Sequence, residues 1–239
     1  MQLTHGADFR ARHRLWRMPS VSSLIYDLPA ITVRRIAVSE MSNNVYLLTS
    51  KKSGVQVLID AADDAAAISE LLSAAAADTP CALNLRAVLT THQHWDHIRA
   101  LPELAENPGV ELAAGADDAA AIEEQKSVSI SHRLQHADTV QYDGICLDVI
   151  HLRGHTPGSV AFVYPVEDGP THIFTGDSLF PGGVGKTWSS EDFTTLLDDV
   201  ETRLFAEYDD DTIIHPGHGE PTTLGEERPK LAEWRERGW

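Results

Sequence analysis

Short hydrophobic runs alternate with turn signals along most of the chain, a pattern typical of β-strands joined by tight loops. In the first half, several β-branched runs surround an alanine-rich segment in which Ile68, Leu71 and Leu72 recur at helical spacing. We therefore predict strands over residues 31–38, 45–49, 55–59 and 86–90, and a helix over 60–77. Because the helix separates two of these strands, the pattern indicates a crossover connection. Two more short helices are predicted to begin near Ile98 and Gly115.

The second half of the chain repeats the order of strands followed by helices. Strands are predicted over residues 139–141, 145–150, 159–164, 171–175 and 212–214. Ser189 begins an amphipathic helix with a capping-box pattern, and one terminal helix is predicted over 224–239. Two successive blocks of strands and helices predict two half-sheets with helices outside them. We therefore expect a single α+β domain over 30–239, preceded by an N-terminal extension, an arm, over 1–29.

The composition excludes several classes of function. The chain has 239 residues, of which 42% are hydrophobic, and a net charge of -17. That charge opposes a non-specific grip on nucleic acid or on an anionic membrane. No stretch approaches the roughly 18 apolar residues of a membrane span, and no signal-peptide pattern is present. Cys81 and Cys146 show neither metal nor disulfide spacing, which favours a cytoplasmic protein. Twelve histidines, about twice the ordinary usage, are the unusual feature.

The histidines concentrate in loops that follow predicted strands. Directly after the strand that ends at residue 90, one loop places His92, His94, Asp96 and His97 within six residues. Imidazole and carboxylate groups are ligands of zinc and similar divalent metals, and a loop can turn them toward one point. Three further loops supply one candidate ligand each, namely His155, Asp177 and His218. Together these residues suffice for two metal ions that share one carboxylate.

This pattern resembles the metallo-β-lactamase-fold hydrolases, and most closely their glyoxalase II-like, or hydroxyacylglutathione hydrolase-like, branch. The resemblance covers about residues 31–221, and all seven motif positions are filled. It implies a four-layer αββα sandwich with the metal ions between the sheet edges. It also implies the ligand sets: His92, His94 and His155 for one ion, Asp96, His97 and His218 for the other, and Asp177 as the bridge.

The chemistry implied by the resemblance is hydrolysis by a hydroxide that two divalent metal ions share. Such ions lower the pKa of water and polarise a carbonyl group, so no Ser or Cys nucleophile is required. Asp96 is interpreted as a catalytic ligand that orients the hydroxide. Zinc is the expected metal, with iron or manganese as alternatives, since His and carboxylate ligands accept all three. The expected partner is a small-molecule substrate, and a homodimer is one assembly that the sequence leaves open.

Two departures from glyoxalase II bear on the substrate. Only 21 residues follow His218, so we expect the C-terminal helical domain that carries glutathione contacts in that family to be missing. The segment from Lys186 to Trp188 also differs from the arginine-and-aromatic sequence found there. Lys186 is the first candidate for binding a substrate carboxylate or thiol carrier, with a solvated surface lysine as the alternative. A thioester of another small thiol, or a lactone, fits the same chemistry.

Other functions within the same fold are alternatives to a thioester hydrolase. A lactonase of the acyl-homoserine-lactone type is the first. A mononuclear iron persulfide dioxygenase is the second, although it would not need Asp96, His97 and His218. A non-catalytic metal-binding domain is the third, although such relatives usually lose ligands. The acid at Asp177 argues against a β-lactamase, and the net charge of -17 argues against an RNA-processing nuclease.

The remaining histidines have structural interpretations. His132 and His136 are four residues apart and could share a helix face. His172 and His215 lie on or beside predicted strands, where satisfied hydrogen bonds in the core are expected. Trp188 is a candidate for the wall of a substrate cleft.

Overall fold

Two β-sheets packed face to face form the centre of the computed structural model, which describes residues 23–238. Within these residues, the first sheet has seven strands that neighbour one another in chain order. They are β1 (Leu24–Asp27), β2 (Ile31–Val38), β3 (Asn43–Ser50), β4 (Val55–Ile59), β5 (Asn84–Thr90), β6 (Glu111–Gly115) and β7 (His132–Leu134). Pairing is antiparallel from β1 to β4 and parallel from β4 to β7.

The second sheet is also mixed, and its six described strands follow the order β15-β14-β11-β10-β9-β8. The remaining strands of the described chain are β8 (Thr139–Tyr142), β9 (Ile145–His151), β10 (Val160–Tyr164), β11 (His172–Gly176), β12 (Leu179–Phe180), β13 (Gly183–Val184), β14 (Ile213–Pro216) and β15 (Thr222–Thr223). Strands β8 to β11 pair antiparallel, β14 lies parallel to β11, and β12 and β13 form a separate short hairpin.

Helices cover the outer faces of both sheets. They are α1 (Ala65–Ala74), α2 (Leu101–Ala105), α3 (Ala116–Lys126), α4 (Ser190–Val200), α5 (Leu224–Glu227) and α6 (Leu231–Arg237). Helices α1 to α3 pack on the first sheet, and α4 and α6 pack on the second. None of the described helices is long and apolar enough to cross a membrane, and Cys81 and Cys146 are both free thiols.

Three hydrophobic layers explain why the chain folds into four layers of secondary structure. Side chains alternate along each strand, so Leu47 and Leu58 face the helices while Leu48 faces the opposite sheet. The layer between the sheets also contains Phe162 and Phe174, both fully buried. The predicted αββα sandwich of a single α+β domain is thereby confirmed.

The first predicted helix begins later than its alanine-rich sequence indicated. Asp60 has a left-handed φ of 59°, which no helix accepts, and the helix starts only at Ala65. Asp64 caps it by accepting a hydrogen bond from the Ala67 amide at 3.0 Å. Its C-terminal end, Ala75–Ala77, is a 3₁₀ turn.

The sequence analysis missed two parallel strands of the first sheet. β6 reads Glu-Leu-Ala-Ala-Gly, which has low intrinsic strand propensity, and burial in the sheet determines its conformation. β7 contains His132, so the idea that His132 and His136 share a helix face was wrong. The first sheet also includes β1, which lies in the segment 1–29 predicted as an extension; residues 1–22 lie outside the described part of the chain.

The predicted terminal helix is interrupted. Pro229 lies in a 3₁₀ turn, Arg228–Lys230, between α5 and α6, because proline cannot donate the backbone hydrogen bond that a continuous helix requires.

Two buried histidines lie side by side in the second sheet. His172 on β11 and His215 on β14 stack with ring centroids 5.2 Å apart, and His172 Nδ1 lies 2.9 Å from His215 Nε2. The ring of Tyr26 packs edge-on against both. Burial lowers the pKa of His172 to about 4, and burial together with the neighbouring imidazole lowers the pKa of His215. Both rings are therefore neutral at pH 7, and the expected hydrogen bond in the core is present.

Replacing His172 by phenylalanine should make folding stability less sensitive to acid. The unfolded chain binds a proton at this residue near pH 6.5 and the folded protein only near pH 4, so stability present above pH 6.5 is lost as the pH falls toward 4. For one such group the loss between pH 7 and 5 is about 2 kcal/mol. Urea unfolding of chelator-treated protein should therefore show wild type losing about that much more than His172→Phe. Equal pH dependence of the two proteins would contradict the prediction.

Candidate metal centre

The seven candidate ligands lie at one end of the sandwich, where parallel strands of both sheets have their carboxyl ends. His92 and His94 follow β5, and Asp177 and His218 follow the parallel strands β11 and β14. His155 lies in the loop between β9 and β10. Backbone hydrogen bonds join these loops, from Val160 N to Thr91 O between the two sheets and from Gly217 N to Gly176 O within the second sheet, both at 2.8 Å. The fold thus brings distant segments of the chain to one place.

His92, His94 and His155 form the first triad. One nitrogen of each ring lies within 4.8 Å of those of the other two, and the Nε2 atoms of His92 and His155 are 3.3 Å apart. Nδ1 of His155 donates a hydrogen bond to the Lys186 carbonyl oxygen at 2.6 Å, which leaves Nε2 facing the triad. Three convergent imidazoles of this kind can hold one divalent cation.

Asp96, His97 and His218 form the second triad. The Nε2 atoms of His97 and His218 are 3.2 Å apart. Asp96 Oδ2 lies 3.4 Å from the His218 nitrogen and 3.7 Å from the His97 nitrogen. Nδ1 of His218 donates to the Met41 carbonyl oxygen at 2.9 Å, so its Nε2 also faces inward. This set offers two nitrogens and one carboxylate oxygen to a second cation.

Asp177 lies between the two triads. Its Oδ1 is 3.4 Å from His97 Nε2, and its Oδ2 is 3.5 Å from His218 Nε2 and 3.7 Å from His155 Nε2. Among the described residues, Oδ1 is a buried carboxylate oxygen without a hydrogen-bond partner, which is costly unless a cation compensates it. The residues present therefore fit a binuclear divalent metal site, and their chemistry accepts zinc, iron or manganese.

The electrostatics of the two triads differ. Burial lowers the pKa of His92 and of His155, so both rings are neutral and offer free nitrogen lone pairs. Burial also acts to lower the pKa of His97 and of His218. The neighbouring carboxylates outweigh this effect and raise each pKa to about 10. These carboxylates are Asp60 and Asp177 for His97, and Asp177 and Asp96 for His218. In the metal-free protein the second triad thus holds protons that balance its carboxylates, and a cation must displace them.

Asp60 supports the second triad, and the sequence analysis did not identify it. Its left-handed backbone turns the carboxylate toward the metal loop, where it accepts hydrogen bonds from the Thr91 amide and hydroxyl, each at 2.8 Å. The same carboxylate accepts from His97 Nδ1 at 2.8 Å, which fixes the ring with Nε2 facing inward. Its position directly after a buried strand was the available signal.

Asn43 is a second supporting residue that the sequence analysis did not identify. Its Oδ1 accepts a hydrogen bond from the Ser39 hydroxyl at 2.7 Å, which directs Nδ2 into the site. Nδ2 donates to Asp96 Oδ2 at 2.9 Å and lies 3.3 Å from His218 Nε2. The amide is completely buried and holds the Asp96 carboxylate in place.

The residues predicted to contact substrate lie at the mouth of this site. Lys186 is exposed, and its Nζ lies 4.5 Å from the ring centroid of Trp188. Trp188 is 61% exposed, and its ring centroid is 6.4 Å from that of His94. Trp95 is 48% exposed, and the Arg99 guanidinium lies 4.1 Å from its ring centroid. Exposed indoles beside metal-binding loops offer apolar surface to a ligand.

Comparison with known proteins finds relatives over most of the chain. Residues 38–218 match the metallo-beta-lactamase superfamily, a span that contains all seven candidate ligands. Hydroxyacylglutathione hydrolase GloC of Haemophilus influenzae is 34% identical over 161 residues, covering 61% of this chain and 74% of that protein. Several further hydroxyacylglutathione hydrolases are 29–35% identical, but the matched part spans only 50–56% of their length.

Solved structures share the fold. The crystal structure of ETHE1 from Myxococcus xanthus is 28% identical, with a TM-score of 0.69, and the match covers 85% of this chain and 86% of that one. TTHA1623, solved in a di-iron-bound form, is 28% identical, with a TM-score of 0.61 and coverage of 81% and 96%. A two-metal arrangement is therefore found in a protein of similar structure.

Proposed function

Since this chain belongs to the metallo-beta-lactamase superfamily, we propose that it is a binuclear metal-dependent hydrolase that cleaves the thioester of a small thiol. The observation that carries the proposal is the position of Asp177 between two complete triads. Its buried Oδ1 has no hydrogen-bond partner among the described residues. When bound there, two divalent cations would lower the pKa of a water molecule and polarise the substrate carbonyl.

The side chains around this centre have distinct roles in the proposed reaction. Asp96, held through one oxygen by Asn43, orients the attacking water by accepting a hydrogen bond from it. The water oxygen bonds to the carbonyl carbon, the carbon–sulfur bond breaks, and the acyl group leaves as a carboxylate. The sulfur takes the bonding electrons and one of the two protons of the water and departs as a free thiol, and the other proton is released to solvent. No side-chain nucleophile forms a covalent intermediate.

Lys186 and Trp188 are proposed to bind the substrate. The ammonium group lies against the exposed indole, and the indole lies beside His94 of the first triad. A cation next to an apolar face suits a ligand with a carboxylate and a hydrocarbon or thioether arm. Such a ligand can approach although the chain carries a net charge of -17, because bound cations would offset acidic charge at the site itself.

Replacing Lys186 by alanine should raise KM for an anionic thioester by about 10-fold while kcat changes little, because an ion pair of about 1.4 kcal/mol is lost in ground and transition states alike. Lys52→Ala is the matched control, because Lys52 is also an exposed lysine. It lies in the turn between β3 and β4, whereas the metal centre lies at the other end of these two strands. Steady-state kinetics on both variants decides the matter. A fall in kcat with unchanged KM would contradict a binding role.

Hydroxyacylglutathione is the first substrate to assay. The sequence analysis argued against glutathione because few residues follow His218, yet relatives at 29–35% identity carry the name hydroxyacylglutathione hydrolase. The sequence analysis favours a thioester of another small thiol, and the names of the relatives favour a glutathione thioester, so both agree on a thioester. We accordingly propose the thioester class, and we propose zinc as the metal.

The proposal is tested by a hydrolysis panel with metal analysis on the same sample. The panel contains hydroxyacylglutathione, thioesters of other small thiols, an acyl-homoserine lactone and a β-lactam. We expect about two metal ions per chain and turnover of the thioesters. Turnover of the lactone alone would replace the proposed substrate class, and a two-metal protein without any turnover would contradict the proposed activity.

A further inference from the structure

Asp118 is a completely buried carboxylate in the first turn of α3, outside both triads. A buried acid needs hydrogen-bond donors to offset its desolvation. Its three donors come from two other loops: Oδ2 accepts from the Gln93 amide at 2.9 Å and from the Thr156 hydroxyl at 2.5 Å, and Oδ1 accepts from the Gly158 amide at 2.7 Å. The carboxylate therefore holds two loops to one helix.

These two loops carry the first triad. Gln93 lies between His92 and His94 in the chain, and Thr156 directly follows His155. The hydrogen bond that the Gln93 amide donates to Asp118 fixes the backbone from which His94 projects. The bonds to Thr156 and Gly158 fix the backbone that carries His155. One side chain thus helps to set the distance between His94 and His155, which are far apart in the sequence.

The helix approaches these loops so closely that only glycine fits at the contact. A Cβ atom on Gly158 would lie 2.3 Å from the Asp118 nitrogen, and one on Gly115 would lie 1.9 Å from the Gly158 carbonyl oxygen. Real Cβ atoms are not found at such distances from backbone atoms, so two glycines permit the short hydrogen bonds of Asp118. The start of α3 is accordingly a rigid support for the first triad.

The second triad has supports of its own. Asp60 accepts the hydrogen bond from His97, and Asn43 donates to Asp96. Met41 accepts from His218 through its carbonyl oxygen. The hydrogen bonds of Asp118 involve Gln93, between His92 and His94, and Thr156 and Gly158, after His155. The side chains of the second triad are therefore held by groups other than Asp118, although Asp96 and His97 share a loop with two ligands of the first triad.

We infer that Asp118 is a positioning residue that sets the first triad for its metal ion and leaves the second triad unaffected. It acts through the backbone of the two ligand loops and touches neither imidazole nor substrate in this role. Asparagine at this position presents one amide group to donors that require an acceptor, so at least one of the three hydrogen bonds is lost. The consequence is a specific loss of affinity at one of two neighbouring sites.

The test measures zinc bound to the full-length chain during dialysis against a series of buffered free Zn²⁺ concentrations. Asp118→Asn is introduced into two backgrounds, His218→Ala, which leaves the first triad complete, and His155→Ala, which leaves the second. In the His218→Ala background we expect zinc affinity to fall by about 10- to 100-fold. In the His155→Ala background the change should stay within about twofold. The measurement needs no substrate, so its outcome is independent of the proposed activity.

Asp117→Asn is the matched control, because Asp117 lies in the same turn of α3, loses the same charge and is exposed. It should leave zinc affinity unchanged in both backgrounds. If Asp118→Asn does not fold, Thr156→Val replaces it in the test, because this substitution removes only one of the three donors. It should weaken zinc binding in the His218→Ala background and not in the His155→Ala background. Equal weakening in both backgrounds, or unchanged affinity with the first triad alone, would overturn the inference.

Discussion

Alanine in place of His94 should abolish thioester hydrolysis, lowering kcat/KM by at least about 1,000-fold, because a first triad with two ligands cannot hold a cation that contributes several kcal/mol to the transition state. His94 supplies one of only three nitrogens of that triad. Its side chain is partly exposed and lies in a loop, so the substitution should leave the fold intact. Metal analysis should show a loss of about one ion per chain, and kinetics on the same preparation should show the loss of turnover.

His132→Ala is the control for this experiment. His132 is an exposed histidine on β7, outside the metal loops. Its Nε2 lies 3.2 Å from the Glu111 carboxylate on the neighbouring strand β6. Its removal should change neither metal content nor kcat/KM, and circular dichroism should show the same fold for both variants. Full activity of His94→Ala would be incompatible with the proposed mechanism.

The ligands of the metal centre could be predicted because their chemistry restricts the residue type. Only a few side chains bind a divalent cation, and His92, His94, Asp96 and His97 lie so close in sequence that chance is a poor explanation. The other three ligands lie singly in separate loops. Each could be identified as a ligand only together with the complete set of seven residues. The structure brings all of them to one end of the sandwich.

The supporting residues could not be predicted in the same way. Asp60, Asn43 and Asp118 are of types that are common in turns and helix caps, and their roles depend on partners distant in sequence. An acid in the first turn of a helix, such as Asp118, can be explained by the helix dipole alone, yet this carboxylate accepts hydrogen bonds from two other loops. Residue type therefore identified the atoms that bind metal, and only three-dimensional contacts identify the groups that hold them.

The fold shows the same division between local and tertiary information. Strands β2, β4 and β10 are rich in β-branched or aromatic residues and were predicted close to their observed bounds. β6 and β7 have weak strand signals, and their conformation follows from pairing with β5 and with each other. Propensity thus identified the centres of both sheets, and the edge at β7 required the packing of the whole domain.

Chelation of the metal ions should lower the melting temperature of the protein by about 10 °C at neutral pH. A ligand present at 1,000 times its dissociation constant stabilises the folded state by about 4 kcal/mol, and each kcal/mol shifts the melting temperature of a chain this long by about 2 to 4 °C. The structure indicates where part of this stability resides, because Asp177 Oδ1 is a buried carboxylate oxygen without a hydrogen-bond partner among the described residues, and a bound cation would compensate its charge. Differential scanning calorimetry with and without chelator measures it, and His94→Ala should show a smaller shift.

The difference between the metal-loaded and metal-free proteins should widen as the pH rises from 6.5 to 9. Without metal, His97 and His218 have pKa values raised to about 10 by the neighbouring carboxylates. A raised pKa in the folded state gives stability that is complete below about pH 6.5 and is lost as the pH approaches 10, because the folded protein then releases protons that the unfolded chain no longer binds. With metal bound, both imidazoles are already deprotonated, so the loaded protein lacks this dependence. A melting-temperature difference that stays constant or shrinks over this range would show that protonated imidazoles do not replace the cations in the metal-free site.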